Sequence, residues 1–140
     1  MIKPVKNTLR TYRVTVTRDG EAHARVQTRG HMLHLGVRRG DPSVGFNAAE
    51  TLMAALGACL MTNINSMAQK MRIPLRDVRI EIEAVRQDAP PAIIQISYRL
   101  HIDSPASADA LQRLHKMATE WGTVYNTLLR GVPISGELVE

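Results

Sequence analysis

Thr51-Leu52-Met53-Ala54-Ala55-Leu56-Gly57-Ala58-Cys59-Leu60-Met61-Thr62-Asn63-Ile64-Asn65-Ser66-Met67-Ala68-Gln69 is a run of 19 residues without a charge, bounded by Glu50 and Lys70. Its Ala, Leu and Met content favours helix. Asn47 is a candidate N-cap and Glu50 follows three residues later, which is the spacing of a capping box. The helix is expected to run to about Met71, with Pro74 beyond its end. Such a length could cross a bilayer. However, Thr51, Thr62, Asn63, Asn65, Ser66 and Gln69 are polar and the flanking segments alternate like soluble strands, so no membrane span is expected. A surface helix carries one charged face. Here Leu52, Met53, Leu56, Leu60 and Met61 point all round the axis, so the helix should be enclosed on nearly every side. One short chain covers one side of it. A second copy covering the other makes a two-fold homodimer the expected state. Ala54, Ala55, Gly57 and Ala58 would let two such helices cross closely.

Working outward, Tyr12 to Arg18 alternates and is β-branched, the pattern of a half-buried strand. Asp19-Gly20 reads as a two-residue hairpin turn. Glu21 to Thr28 is the return strand, Arg29-Gly30 turns again, and His31 to Val37 is a third strand. Arg38 to Phe46 is a loop. Beyond the helix, Val78 to Arg86 and Ile93 to Ile102 are strands. Val78, Ile80, Ile82 and Ala84 face one way and Arg79, Glu81, Glu83 and Val85 the other. Ser104 or Ser107 caps a second helix with Leu111, Leu114, Ala118 and Trp121 at helical spacing. Gly122 interrupts it, and Thr123 to Arg130 adds a turn or two closed by Gly131. Val132 to Val139 reads as a last strand. The expected class is α+β in the order β-β-β-α-β-β-α-β, with antiparallel sheets packed around a long central helix and the dimer intertwined. The 140 residues are expected to form a single domain, 1–140.

The composition is 44% hydrophobic and 22% charged, with a net charge of +5. The basic residues form no tract and are not interleaved with aromatics, so no nucleic-acid partner is expected. A single cysteine makes an intramolecular disulfide impossible. With no apolar stretch in Met1 to Tyr12 that resembles a signal peptide, a cytoplasmic location is expected.

Cys59 is the one nucleophile that stands out. Free cysteines are commonly small buried hydrophobes. A reactive thiol usually needs a nearby cation, and no Lys or Arg lies within two helical turns of Cys59, so a cation must come from elsewhere in the fold or from a partner. His31 and His34 sit three apart on one strand and point to opposite faces. His101 and His115 read as surface or half-buried. No metal site and no cofactor are expected.

The stretch Gly45-Phe46-Asn47-Ala48-Ala49-Glu50-Thr51-Leu52-Met53-Ala54-Ala55-Leu56-Gly57-Ala58-Cys59 resembles the helix signature of the OsmC/Ohr superfamily, and the element order resembles it as well. That family includes thiol peroxidases that reduce organic hydroperoxides. In them a helix cysteine attacks the peroxide, a hairpin Arg activates it, a carboxylate orients the Arg, and a second cysteine closes a disulfide. By this resemblance Cys59 matches the attacking cysteine, Arg18 the hairpin Arg, and Glu50 the Glu of the broad signature. In the Ohr branch the carboxylate sits one position earlier, where this chain has Ala49. The family proline near the helix start is replaced by Ala48. The second cysteine and its following proline align with Gly122-Thr123, so the two-cysteine cycle is excluded. A sulfenic acid needs a thiol to restore it, and here that thiol must be external.

Two functions are therefore expected. One is a one-cysteine, thiol-dependent organic hydroperoxide reductase using Cys59, Arg18 and Glu50. The other is a non-catalytic member whose apolar interface pocket, lined by Leu and Met around Cys59, holds a hydrophobic small molecule. Glu50 and Cys59 are nine positions apart, which places them on opposite sides of a helix and roughly 13–14 Å apart along its axis. An antiparallel partner helix crossing near Ala54 and Ala55 would bring Glu50 of one chain toward Cys59 of the other.

Overall fold

The computed structural model describes residues 7–139. Residues 1–6, which hold half of the N-terminal stretch read above, lie outside the described residues. The chain divides into two compact units, Met1–Glu50 and Thr51–Glu140. The class is α+β; the described residues form two small antiparallel sheets and three α-helices.

In the first unit, β1 (Thr15–Asp19), β2 (His23–Thr28) and β3 (His31–Gly36) form an antiparallel meander. Val16 pairs with Val26, which pairs with Leu33, and Arg18 pairs with Ala24, which pairs with Leu35. Because side chains alternate across a strand, these residues share one sheet face. Thr15, Thr17, Arg25, Gln27 and His34 share the other. The first hairpin differs from the expected two-residue turn. Asp19 pairs with His23, so Gly20, Glu21 and Ala22 form a three-residue loop, with Gly20 at φ +76° supplying the left-handed step. The second turn is the two-residue kind, with Thr28 opposite His31. After β3, Gly36 donates to the Phe46 carbonyl at 2.8 Å. A single 3-10 turn, Pro42–Val44, is capped by the Asp41 side chain.

α1 (Ala48–Lys70) begins with the capping box that the spacing predicts. The Glu50 amide donates to Asn47 Oδ1 at 2.8 Å, and the Asn47 amide donates to Glu50 Oε1 at 3.0 Å. The helix is continuous through Gly57. By length and composition it could cross a membrane. It buries one stripe, Met53, Leu56, Leu60, Ile64 and Ala68. Ala54, Ala55, Ala58 and Thr62 lie exposed on its other side.

β4 (Asp77–Asp88) and β5 (Pro91–Asp103) make a long hairpin with a register shift at Val85/Arg86. Val78, Ile80 and Ile82 oppose Ile102, Leu100 and Tyr98 on its apolar face. Val78, Ile80, Leu100 and Ile102 pack against the core formed by Ile64, Ala68, Ile73, Leu114 and Ala118. α2 (Ala108–Glu120) is capped by Ser107, whose hydroxyl accepts from the Ala110 amide. α3 (Thr123–Arg130) follows directly, with Gly122 as its N-cap.

The expected last strand is not formed. Residues 131–139 are without regular structure, and Ile134 and Leu138 are 92% and 97% exposed. A strand needs a ladder neighbour. Pro133 lacks the N–H to donate, Gly136 weakens any strand interior, and no described strand of this chain accepts the segment. The order is therefore β-β-β-α-β-β-α-α.

Candidate functional site

Cys59 is half-buried on α1. Its position on the helix flanks the buried stripe, one residue before the fully buried Leu60. Across from it, the junction between α2 and α3 comes close: a Cβ added at Gly122 would lie 3.2 Å from Cys59 Sγ and 2.9 Å from Tyr125 Cβ. Gly122 is thus buried against the sulfur, and the position that the resemblance matches to a second cysteine is the thiol's immediate neighbour. Asn63 Nδ2 donates to the Ala118 carbonyl at 3.0 Å, fastening α1 to the last turn of α2 beside this junction. Among the described residues, none makes a hydrogen bond to Sγ.

Tyr125 also lines an apolar groove of about 530 Å³, together with Leu52, Leu56, Ile93, Ile96, Tyr98 and others. Its walls are Leu, Ile and Tyr with Gln95, and Cys59 is not among them. Leu52 and Leu56 contribute one wall from α1, β5 contributes a second and α3 a third. Tyr98 stands at its edge. The Tyr98 hydroxyl and His115 Nε2 are 2.5 Å apart, with the rings edge to face. Burial, with a smaller contribution from Tyr125, raises the Tyr98 phenol above its usual value of 10.0. This pair was missed. It could have been found from His115 sharing a helix face with Leu111 and Ala118, at spacings of four and three.

The other two site residues are placed differently. Glu50 is exposed at the start of α1, and its carboxylate closes the capping box on Asn47. Since α1 is unbroken, Glu50 stands roughly 13 Å along the axis from Cys59 of the same chain, on the opposite side. Arg18 belongs to the first unit, on β1. It sits on the apolar face of that sheet beside Val16, Val26 and Leu33, and carries no ion pair among the described residues. No cluster of His, Cys, Asp or Glu suited to a metal ion occurs among the described residues.

The model of the OsmC-like protein family matches residues 40–137. Among solved structures, the chain resembles an OsmC-like protein from Mycoplasma pneumoniae with a TM-score of 0.79 at 19% identity, covering 87% of this chain and 89% of that one. It resembles an organic hydroperoxide resistance protein OsmC from Legionella pneumophila with a TM-score of 0.64 at 21% identity, covering 89% and 93%. The organic hydroperoxide resistance protein OhrB of Bacillus subtilis gives a TM-score of 0.59 at 19% identity, also covering 89% and 93%. At these identities the likeness is one of fold. No curated protein matches the sequence.

Proposed function

Because the chain belongs to the OsmC-like family, we propose that it is a one-cysteine reductase of organic hydroperoxides that draws its reducing power from an external thiol. The observation that carries this reading is the Cys59 sulfur held against Gly122, whose other close neighbour, Tyr125, lines an apolar groove that suits the hydrocarbon part of such a peroxide. The Cys59 thiolate attacks the terminal peroxide oxygen and the O–O bond breaks. Sulfur is oxidised to sulfenic acid, and the leaving alkoxide takes a proton to become an alcohol. An external thiol then condenses with the sulfenic acid, releasing water and leaving a mixed disulfide. A second external thiol frees Cys59 and departs as a disulfide. Arg18 and Glu50 are the residues the family resemblance offers for activating the sulfur. The reading includes a homodimer centred on α1 and a cytoplasmic location, where small thiols are kept reduced.

The test is stopped-flow reaction of the reduced protein with cumene hydroperoxide, alongside Cys59→Ser, Arg18→Ala and Glu50→Gln. Wild type should consume peroxide and gain one oxygen at Cys59, and Cys59→Ser should do neither. An unreactive Cys59 would favour a second reading, supported by the groove: a dimer that binds a hydrophobic small molecule without chemistry. In that case an apolar fluorescent probe should bind saturably and equally well to Cys59→Ser.

A further inference from the structure

We propose a second site, independent of the Cys59 chemistry: an oxyanion-binding cleft at one end of the β1–β3 sheet that takes the phosphate group of a small molecule. An open cleft of about 460 Å³ is lined by Arg13, Thr15, Gln27, Thr28, Arg29 and His31, with Gly30 and Met32 completing it. None of these residues is acidic. Two guanidinium groups, an imidazole and the Thr15 hydroxyl offer donors of the kind that match phosphate oxygens. Thr28 Oγ1 is already spent on the Arg13 carbonyl at 2.8 Å, which ties the Arg13 segment to the end of β2.

The electrostatics of this unit favour an anion. Residues 1–50 hold nine Lys and Arg against four Asp and Glu, whereas residues 51–140 hold nine of each, so the whole +5 belongs to the first 50 residues. The four acids there do not neutralise the cleft. Asp41 is engaged by Arg38 and Ser43, and Glu50 by Asn47. Asp19 lies near His34, and Glu21 sits in the β1–β2 loop. Both belong to the opposite end of the sheet from the Arg29-Gly30 turn, as the pairing of Asp19 with His23 and Thr28 with His31 requires. Arg13 and Arg29 have no ion-pair partner among the described residues.

Arg29 itself is an unusual occupant. It stands at φ +48° and Gly30 at φ +83°, the left-handed pair of a primed hairpin turn, where Asn, Asp or Gly are the unstrained choices for the first position. An arginine there carries a steric cost, and the guanidinium it brings to the cleft is what the turn gains. The cleft lining has no Phe, Tyr or Trp on which successive bases could stack, which favours a compact phosphorylated molecule over a nucleic acid.

Inorganic phosphate is the probe. It would be titrated into the full chain at constant ionic strength balanced with chloride, following backbone amide NMR shifts. Saturable shifts confined to Arg13, Thr15 and the Arg29-Gly30 turn are expected. Arg29→Asn, which suits the turn and keeps the fold, and Arg13→Gln should each weaken phosphate by about tenfold or more, the value of one charge-assisted bond. Arg39→Gln, which removes the same charge outside the cleft, should leave it unchanged. Three results would overturn the proposal: no saturable binding, equal weakening by Arg39→Gln, or acetate binding as tightly as phosphate.

Discussion

A cysteine introduced at Gly122 should close the disulfide that this chain otherwise cannot make. The added Cβ would stand 3.2 Å from Cys59 Sγ, near the roughly 3 Å that a disulfide places between one Cβ and the opposite sulfur, as its bond lengths require. Oxidised Gly122→Cys should therefore lose both free thiols to a thiol reagent while remaining one chain by mass. Gly122→Ala, with the same crowding against Tyr125 and no second sulfur, separates the steric cost from the bond. At Tyr98, burial raises the phenol's pKa above 10.0. Above that pH the unfolded chain gives up this proton before the folded chain does, so stability falls as pH rises through the interval up to the folded value. Urea midpoints measured from about pH 9 upward should decline for wild type, and Tyr98→Phe should lack this residue's share of the decline. Finding no difference between the two would remove Tyr98 from the account. Cys59 is visible in the sequence, but its neighbour is not. Gly122 and Cys59 are 63 positions apart, and only the resemblance set them side by side before the packing of α1 against the α2–α3 junction did so independently.

For single elements, legibility followed how local the determining physics is. The start of α1 was readable because a capping box closes within four residues, and both of its hydrogen bonds are present. Asn47→Ala should cost about 1 kcal/mol in chemical denaturation; no loss would mean that packing alone holds the first turn. The apolar face of β4 was readable for a similar reason, since alternation of Val78, Ile80 and Ile82 survives whatever lies beyond the hairpin. The first hairpin loop differs by one residue from what Asp-Gly alone predicts, since the Asp19 to His23 pairing keeps Asp19 in the strand and the chain turns through Gly20. The final segment departs from its sequence pattern for a different reason. Alternation of Val132, Ile134 and Leu138 is a property of the segment, but a strand is a property of two segments, and the partner is what the sequence cannot display.

Taken as a whole molecule, the chain leaves one side of α1 uncovered, with Ala54, Ala55, Ala58 and Thr62 exposed. The proposed dimer buries that side, and Ala55→Glu distinguishes the two cases. On a solvated helix face the change should shift stability by no more than about 0.5 kcal/mol. At a two-fold helix crossing it would bring two carboxylates together in a dry contact, and the dimer seen by sedimentation should weaken by about a hundredfold or more. A dimer of unchanged strength would place its interface elsewhere. The C-terminal segment has a consequence for the handling of this protein. Val132, Ile134, Leu138 and Val139 are more than half exposed, which would ordinarily mark a stretch that seeds cross-β assembly. Yet every window of five residues from 132 to 139 contains Pro133, or Gly136 with Glu137. A proline and a charge are the interruptions that stop such windows from stacking. The tail can therefore stay apolar and open to solvent, through synthesis and folding, without drawing the chain into fibrils.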